Sequence, residues 1–349
     1  MALALIEARK GLGRTAPNPA VGAVVVRGTA VVGLGHHVQA GAPHAEIVAL
    51  RAAGVKAKGA TLYVTLEPCN HQGRTPPCSE AILAAGLARV VYASDDPNPR
   101  VSGRGAARLR RAGVRVDGHV LQTEAHRLNR AWFHFITSGV PFVTLKVATT
   151  MDGRLASASG DSRWVTGPAA RALVHKLRDE VDAVLVGAGT VLADDPELTA
   201  RGPGLRSPLR VILDGKLRTR ATAKVFRPGH LLFTATAVAT GDSRTVERLG
   251  GRGGRFSLVH VLRKLGERGV VHLLVEGGAE VFSAFLEAGL WDELQLFVAP
   301  KLAGPQGLPW FVGKSAPRLR DALVLGRFVP QAVGDDALLI VERHPKVAL

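Results

Sequence analysis

The chain has 349 residues, a formal net charge of +16, 46% hydrophobic and 21% charged residues, and only two cysteines. That length is about twice a compact domain, so two domains are expected, each able to bury its own core. The composition excludes a disordered chain and a disulfide scaffold, and no run reaches the roughly 18 apolar residues of a membrane-spanning helix.

Apolar, β-rich runs alternate with Ala/Leu-rich helical stretches, the pattern of an α/β protein. In the first half, helices are predicted over 2–10, 44–53, 78–85, 105–112 and 123–137, and strands over 21–27, 30–35, 61–66, 89–94 and 114–116. The N-terminal stretch has no basic lead-in and no cleavage-like site; it reads as a first helix, which implies a cytoplasmic protein. Ser138-Gly139-Val140-Pro141 stops the last of these helices and marks a domain boundary. The second half opens with a strand over 142–148 and a helix over 168–178. Strands follow over 183–187, 209–213, 230–234, 271–275, 293–299 and 337–343, with a helix over 279–288 and a loop over 241–255.

The positive charge comes from 34 Arg against 11 Lys, spread along the chain. Its densest run, 100–115, reads as a loop and a short helix with one basic face. No aromatic residues interleave with it for base stacking, so a solvated Arg-rich surface is favoured over a nucleic-acid groove. The same charge suits phosphorylated small molecules.

Three pieces of the first half carry chemistry: His44-Ala45-Glu46, Pro68-Cys69 and Cys78. Each falls at a strand-to-helix junction, where the positive end of a helix favours the thiolate that a metal requires. One His and two Cys make three zinc ligands and leave the fourth tetrahedral position for water, as a catalytic site needs. Glu46, two residues after His44, is placed to carry that water's proton to a leaving amine. The arrangement follows the H-x-E…P-C-x-x-C pattern of zinc nucleobase deaminases. It departs in one respect: eight residues, not two, separate the cysteines. The inserted loop contains His71, Gln72, Gly73, Arg74 and Thr75, a polar and cationic set that suits an anionic group on the substrate. A closed structural site with His71 as fourth ligand is the competing reading. A carboxylate so close to a ligand on an apolar helix speaks against it.

The second half is less explicit. The strand over 271–275 runs into Glu276-Gly277-Gly278 and a helix, a turn whose backbone amides can cradle a phosphate. Gly187-Ala188-Gly189-Thr190 repeats the signal, and a plain tight turn explains either one equally well. A full G-x-G-x-x-G dinucleotide fingerprint is absent. Asp194-Asp195 offers carboxylates for a metal, but Pro196 and the turn-like context favour a loop cap.

Several segments resemble the bifunctional deaminase/reductase of riboflavin biosynthesis. They are Ala16-Pro17-Asn18-Pro19-Ala20-Val21-Gly22, Gly41-Ala42-Pro43-His44-Ala45-Glu46 and the whole run 64–78, whose eight-residue cysteine gap separates this family from other zinc deaminases. Asp96-Pro97-Asn98-Pro99 and Gly103-Arg104-Gly105 extend the match. In the second half, Leu145-Lys146-Val147-Ala148, Asp152-Gly153-Arg154, the runs 160–166 and 190–201, and Val275-Glu276-Gly277-Gly278 resemble the family's reductase domain. The resemblance covers nearly the whole chain. It implies a cytidine-deaminase-like α/β/α sandwich over 1–138 and a dihydrofolate-reductase-like α/β domain over 139–349, which accounts for the missing dinucleotide fingerprint.

The resemblance also implies chemistry. The first domain uses Zn2+ to deaminate 2,5-diamino-6-(5-phosphoribosylamino)pyrimidin-4(3H)-one, and the second uses NADPH to reduce its ribosyl group to ribityl. Asn18, His71 and Arg74 are implied as contacts of the first substrate. Ala148, Trp164, Thr190, Asp194, Gly215 and the turn Gly278, Ala279, Glu280, Val281, Phe282, Ser283 and Ala284 are implied as NADP contacts. Ser162, Arg178, Leu198, Arg201 and Glu276 are implied as contacts of the second substrate. Arg178 and Arg201 suit a phosphate in their own right, since Arg offers a fixed bidentate fork. Lys146 receives no role. Gly215 stands where related sequences often have Ser, so a side-chain hydrogen bond is lost there. The family picture favours a homo-oligomer, with a small-molecule substrate and neither nucleic acid nor membrane as partner. The alternatives are a transfer-RNA deaminase with a C-terminal binding module, supported mainly by the charge, and a zinc-stabilised protein whose second half senses a nucleotide.

Overall fold

The apolar runs of the sequence build two main sheets, one in each of the units Met1–Val140 and Pro141–Leu349. The computed structural model describes residues 1–70, 76–98, 103–202, 204–251 and 253–343. Among them, no helix is long and apolar enough to cross a membrane.

In the first unit the elements follow as α1 (Ala2–Arg9), β1 (Gly22–Arg27), β2 (Ala30–His36), α2 (Ala45–Ala53), β3 (Thr61–Val64), α3 (Cys78–Ala84), β4 (Arg89–Tyr92), α4 (Arg104–Arg111), β5 (Arg115–Asp117), α5 (Gln122–Leu128) and α6 (Arg130–Ser138). The sheet order is β2-β1-β3-β4-β5. Strand β1 is antiparallel to both its neighbours, and β3, β4 and β5 are parallel. Helix α2 presses onto β2 at two glycines that share one face. A Cβ on Gly33 would lie 2.2 Å from the Ala49 carbonyl oxygen, and one on Gly35 2.6 Å from that of Ala45. This close approach sets the start of α2, and with it His44 and Glu46, against the sheet.

The single helix expected over 123–137 is two helices, α5 and α6, because Asn129 between them is put to another use. Its buried amide accepts from the Ala20 N–H at 3.0 Å and donates to the Ala20 carbonyl at 2.9 Å. Both polar atoms of the Ala20 backbone are thereby satisfied, and the segment that carries Asn18 is pinned.

In the second unit the elements are β6 (Phe142–Thr150), β7 (Arg154–Ala156), α7 (Pro168–Glu180), β8 (Ala183–Gly187), α8 (Ala188–Asp194), β9 (Leu209–Leu213), β10 (His230–Thr234), β11 (Val246–Arg248), α9 (Leu258–Glu267), β12 (His272–Gly277), α10 (Ala279–Ala288), β13 (Glu293–Ala299), β14 (Leu308–Pro309), β15 (Phe328–Val333) and β16 (Asp336–Glu342). Seven parallel strands, in the order β11-β10-β9-β8-β12-β6-β13, are extended by the antiparallel pair β16-β15, while β7 and β14 form a separate two-stranded ribbon. Continuous apolar strands suit a parallel sheet buried on both faces. Strands β8 and β10 are buried along their full length, and Phe233, Phe282, Phe285 and Phe297 fill the core.

Two sequence expectations change here. The stretch 241–255 is not all loop, since β11 within it pairs in parallel with β10. Three residues are too few to leave a periodic signal. Gly187-Ala188-Gly189-Thr190 is more than a turn: helix α8 starts at Ala188, directly from the end of β8.

Two candidate active sites

His44 is the N-cap of α2, Cys78 is the first residue of α3, and Cys69 lies in the loop that follows β3. His44 Nδ1 is 3.1 Å from Cys78 Sγ and 3.6 Å from Cys69 Sγ, and all three donor atoms lie within 4.8 Å of one another. A tetrahedral zinc with bonds of about 2.0 Å to nitrogen and 2.3 Å to sulfur holds such atoms roughly 3.6 Å apart, so the donor set fits that ion with little movement. Hydrogen bonds, first from the Cys78 thiol and then from His44, bring the Cys69 thiol down to about 4 against the effect of its burial. The same contact, together with burial, pushes the Cys78 thiol well up.

Glu46 is buried in the first turn of α2. Desolvation, and then the negative charge of Cys69, raise its carboxyl above the ordinary value. This is the direction that suits a group meant to hold and return a proton near neutral pH. His37, given no role by the sequence reading, packs edge-on against His44 with ring centroids 5.6 Å apart. Burial favours its neutral form. Its Nδ1–H donates to the Pro43 carbonyl at 3.1 Å, which leaves Nε2 to accept from the Asn18 side-chain amide at 3.0 Å. Asn18 is thus tied to the metal-ligand cluster through His37. His71 and Arg74 lie outside the described residues.

In the second unit, β9, β8, β12 and β6 lie side by side, and the carboxyl ends of parallel strands are where such sheets bind ligands. Beyond these ends lie Gly215, helix α8 with Thr190 and Asp194, and the Gly277-Gly278 turn into α10, while Ala148 lies near the end of β6. Gly278 has φ +81 and is the N-cap of α10, whose first-turn amides have no partner inside the helix. Thr190 Oγ1 closes against this turn, 3.3 Å from where a Cβ on Gly278 would stand. Ala279, Phe282 and Ser283 point inward and are buried, and the Ser283 hydroxyl accepts from the Val312 N–H at 2.8 Å. A cofactor at the turn therefore meets backbone there, not those three side chains. Ser162 donates to Asp194 Oδ1 at 3.2 Å. Trp164 is 59% exposed, with the Arg171 guanidinium 4.6 Å above its ring and Lys301 donating to its carbonyl at 2.6 Å. At Gly215 a Cβ would lie 1.7 Å from the Gly254 carbonyl oxygen, so the loop around Gly254 occupies the space where a serine side chain would begin.

Glu276 on β12 and Lys146 on β6 follow the paired residues Val275 and Leu145 of adjacent parallel strands. Arg178 reaches them from α7. Its Nε and Nη2 donate to the two Glu276 carboxylate oxygens at 2.6 and 2.7 Å, and Nη1 donates to the Thr199 carbonyl at 3.1 Å. Burial alone would raise the Glu276 carboxyl, but the charge and hydrogen bonds of Arg178, helped by Lys146, hold it below its ordinary value. Burial lowers the Lys146 ammonium more than Glu276 raises it. Leu198, at φ +53, sends its side chain into the core and leaves only backbone for a ligand. Arg201 stays open to solvent, 3.8 Å from Glu197, and lines a cavity of about 390 Å³ with Pro168, Arg171, His175 and Lys176. The sequence-predicted phosphate anchors therefore differ: Arg178 is largely engaged by Glu276, whereas Arg201, in a long and exposed pair with Glu197, can turn to an anion.

Residues 1–94 match the cytidine and deoxycytidylate deaminase zinc-binding region, and residues 141–325 match the RibD C-terminal domain. The riboflavin biosynthesis protein RibD of Aquifex aeolicus is 44% identical over 99% of this chain and 98% of its own length. The structure of Acinetobacter baumannii RibD superposes with a TM-score of 0.89 at 38% identity, covering 99% of this chain and 98% of that one. This chain belongs to the RibD family. A Thermotoga maritima structure titled as a diaminohydroxyphosphoribosylaminopyrimidine deaminase/5-amino-6-(5-phosphoribosylamino)uracil reductase is equally similar, with a TM-score of 0.89 and 38% identity over 99% of this chain and 97% of that one.

As a RibD-family protein the chain is a two-domain enzyme, with a cytidine-deaminase-like zinc-binding region followed by the RibD reductase domain. Its cofactors are zinc and NADPH. Besides His37, two residues of the second unit went unremarked in sequence. Arg171 carries the exposed Trp164 and also lines the cavity beside Arg201. His175 lines the same cavity, and its Nδ1 is buried without a hydrogen-bond partner among the described residues. Neither residue stands in a motif, so no local signal marked them.

Proposed function

We propose that the chain performs two consecutive steps on one phosphorylated pyrimidine. The first unit deaminates the phosphoribosylamino-diaminopyrimidine hydrolytically, and the second reduces the ribosyl group of the product to ribityl. The observation that carries the reading is the set His44, Cys69 and Cys78 with buried Glu46 beside it, on a chain whose other half is a RibD reductase domain.

His44, Cys69 and Cys78 would hold the zinc, which when bound would make water acidic enough to act as a nucleophile near neutral pH. Glu46 takes the proton of the attacking water and delivers it to the amine, which leaves as ammonia. His37 holds the Asn18 amide in place to receive the pyrimidine. Arg74 and His71 contribute the positive and polar groups of the inserted loop. In the second unit Thr190, Asp194, Trp164 and the backbone of the Gly278 turn would hold NADPH, which when bound would supply the hydride, and Arg201 and Ser162 would hold the phosphorylated end of the sugar. Glu276, kept ionised by Arg178, and Lys146 form the polar floor under the sugar.

Incubation with the diaminopyrimidine substrate and NADPH tests the proposal. Ammonia release followed by loss of NADPH absorbance is the expected result, and deamination without NADPH consumption overturns the second step. Arg201→Ala is expected to spare ammonia release and raise the reductase KM on the order of tenfold, the scale of one charge-assisted hydrogen bond. Loss of both activities in a folded Arg201→Ala protein contradicts two separate sites.

The reading includes a cytoplasmic location, no nucleic-acid or membrane partner, and a homo-oligomer. Support for the last comes from edge strand β15 and the segment before it, where Leu319 is 92%, Val324 85%, Phe328 54% and Val329 55% exposed. Apolar surface of this kind is what a second copy covers. Sedimentation is expected to give a dimer or larger species that Phe328→Glu shifts toward monomer; a wild-type monomer at micromolar concentration rejects the oligomer.

A further inference from the structure

Glu67-Pro68 and Gly103-Arg104-Gly105 belong to the family resemblance, yet the chemistry above uses neither. They meet. The Glu67 side chain is buried, and its Oε2 accepts from the Gly103 N–H at 2.8 Å while Oε1 accepts from the Ala106 N–H at 3.0 Å. These amides belong to the N-terminal turn of α4, which lacks intrahelical acceptors. A local Ser, Thr, Asp or Asn ordinarily serves there, but the N-cap is Gly103, which has no side chain to offer. The cap is supplied instead from 36 residues upstream. A local cap would satisfy the helix equally well; a remote one also joins two segments.

The neighbouring residues tighten the joint. A Cβ on Gly105 would sit 1.7 Å from the Pro68 carbonyl oxygen, so only glycine lets α4 approach the loop so closely. The Glu67 N–H donates to the Ser94 carbonyl at 2.9 Å. On its other side Cys69 is fastened to α3, where its carbonyl accepts from the Ser79 N–H at 3.1 Å and its sulfur from the Cys78 N–H at 3.4 Å. Cys69 is therefore held between the helix that bears Cys78 and, through Glu67 and Pro68, helix α4.

We infer that Glu67 is a positioning residue for the zinc donor Cys69, clamping the loop that carries it onto the first turn of α4 so that its sulfur is fixed relative to His44 and Cys78. The inference rests on the zinc reading above. Groups that orient a metal ligand typically account for tenfold to a hundredfold in metal affinity.

The test uses the full chain and two variants. Glu67→Gln keeps one acceptor and turns an N–H toward the other amide; Gly105→Ala keeps the carboxylate but pushes α4 away from Pro68. Zinc release to a chromogenic chelator is expected to be on the order of tenfold faster in both. In the cobalt-substituted proteins the sulfur-to-cobalt charge-transfer and d–d bands are expected to shift, reporting an altered cysteine ligand. A variant that melts earlier yet releases zinc at the wild-type rate with an unshifted cobalt spectrum reduces Glu67 to a helix cap and overturns the inference. Should Glu67→Gln not fold, Gly105→Ala decides by the same two readouts. A wild-type chain that holds neither zinc nor cobalt is a different failure, that of the zinc reading itself.

Discussion

Replacing Glu46 by glutamine is expected to abolish ammonia release while leaving the zinc content unchanged. The substitution keeps the size of the side chain and leaves His44, Cys69 and Cys78 in place, so the metal donors are untouched. What it removes is the carboxylate charge and, with it, the ability to accept a proton and return it. General acid–base groups contribute about a hundredfold to ten-thousandfold, and Glu46 serves twice in the proposed cycle, so a loss at the upper end is expected. Its burial and the adjacent Cys69 charge raise its carboxyl above the ordinary carboxylate value, which favours its taking up a proton. The variant should still consume NADPH when given the deaminated intermediate. Wild-type rates of ammonia release from Glu46→Gln would sink the mechanism.

The second large effect is expected in the reductase unit, from Arg178→Met. Arg178 and Glu276 form a bidentate pair with side chains only 13% and 6% exposed. Removing one member of such a pair strands the other charge in the interior, at a cost of about 3–5 kcal/mol, or a melting temperature lower by on the order of 10 °C for this unit. Lys146 remains beside Glu276 and softens the loss. The sign of the pH dependence separates this from a simple packing defect. In the wild type the Glu276 carboxyl lies below its ordinary value, so the pair's stabilisation is present above that value and disappears only as the pH falls through the lower, folded one. In the variant the buried, unpaired carboxyl rises, and its protonation relieves the strain on acidification. The difference in stability between wild type and variant should therefore shrink from pH 8 toward pH 5. A difference that stays constant across that range would mean that lost packing, not a stranded charge, sets the cost. Arg178→Met combined with Glu276→Leu should recover much of the stability, since a buried ion pair is often replaceable by apolar groups, but not reductase activity.

How much of this was legible in sequence differs between the two sites. The strands over 183–187, 209–213, 230–234 and 293–299 and the helix over 279–288 coincide with the observed elements, because apolar-rich runs bounded by Gly, Pro or Asp leave little choice of structure. Where a residue's use is tertiary, periodicity misleads. Asn129 reads as mid-helix but breaks the helix to bond Ala20, 109 positions away. Leu198, implied by the resemblance as a substrate contact, has its side chain in the core at a positive φ, so only its backbone faces a ligand, which periodicity does not reveal.

His44, Glu46, Cys69 and Cys78 were therefore readable from the sequence alone. They sit at junctions of consecutive elements, the chemistry of their side chains is rare, and local spacing dictates which of them can share a metal. Even there, the proposed means of holding Cys69 in place was not visible, because Glu67 beside it and Gly105 in α4 lie far apart along the chain. The proposed floor of the reductase site was decided by the tertiary structure. Arg178 and Glu276 are 98 residues apart and are ordinary residues taken singly. They become a pair, with Lys146 beside them, only because β12 lies next to β6 in the parallel sheet and α7 brings Arg178 to both.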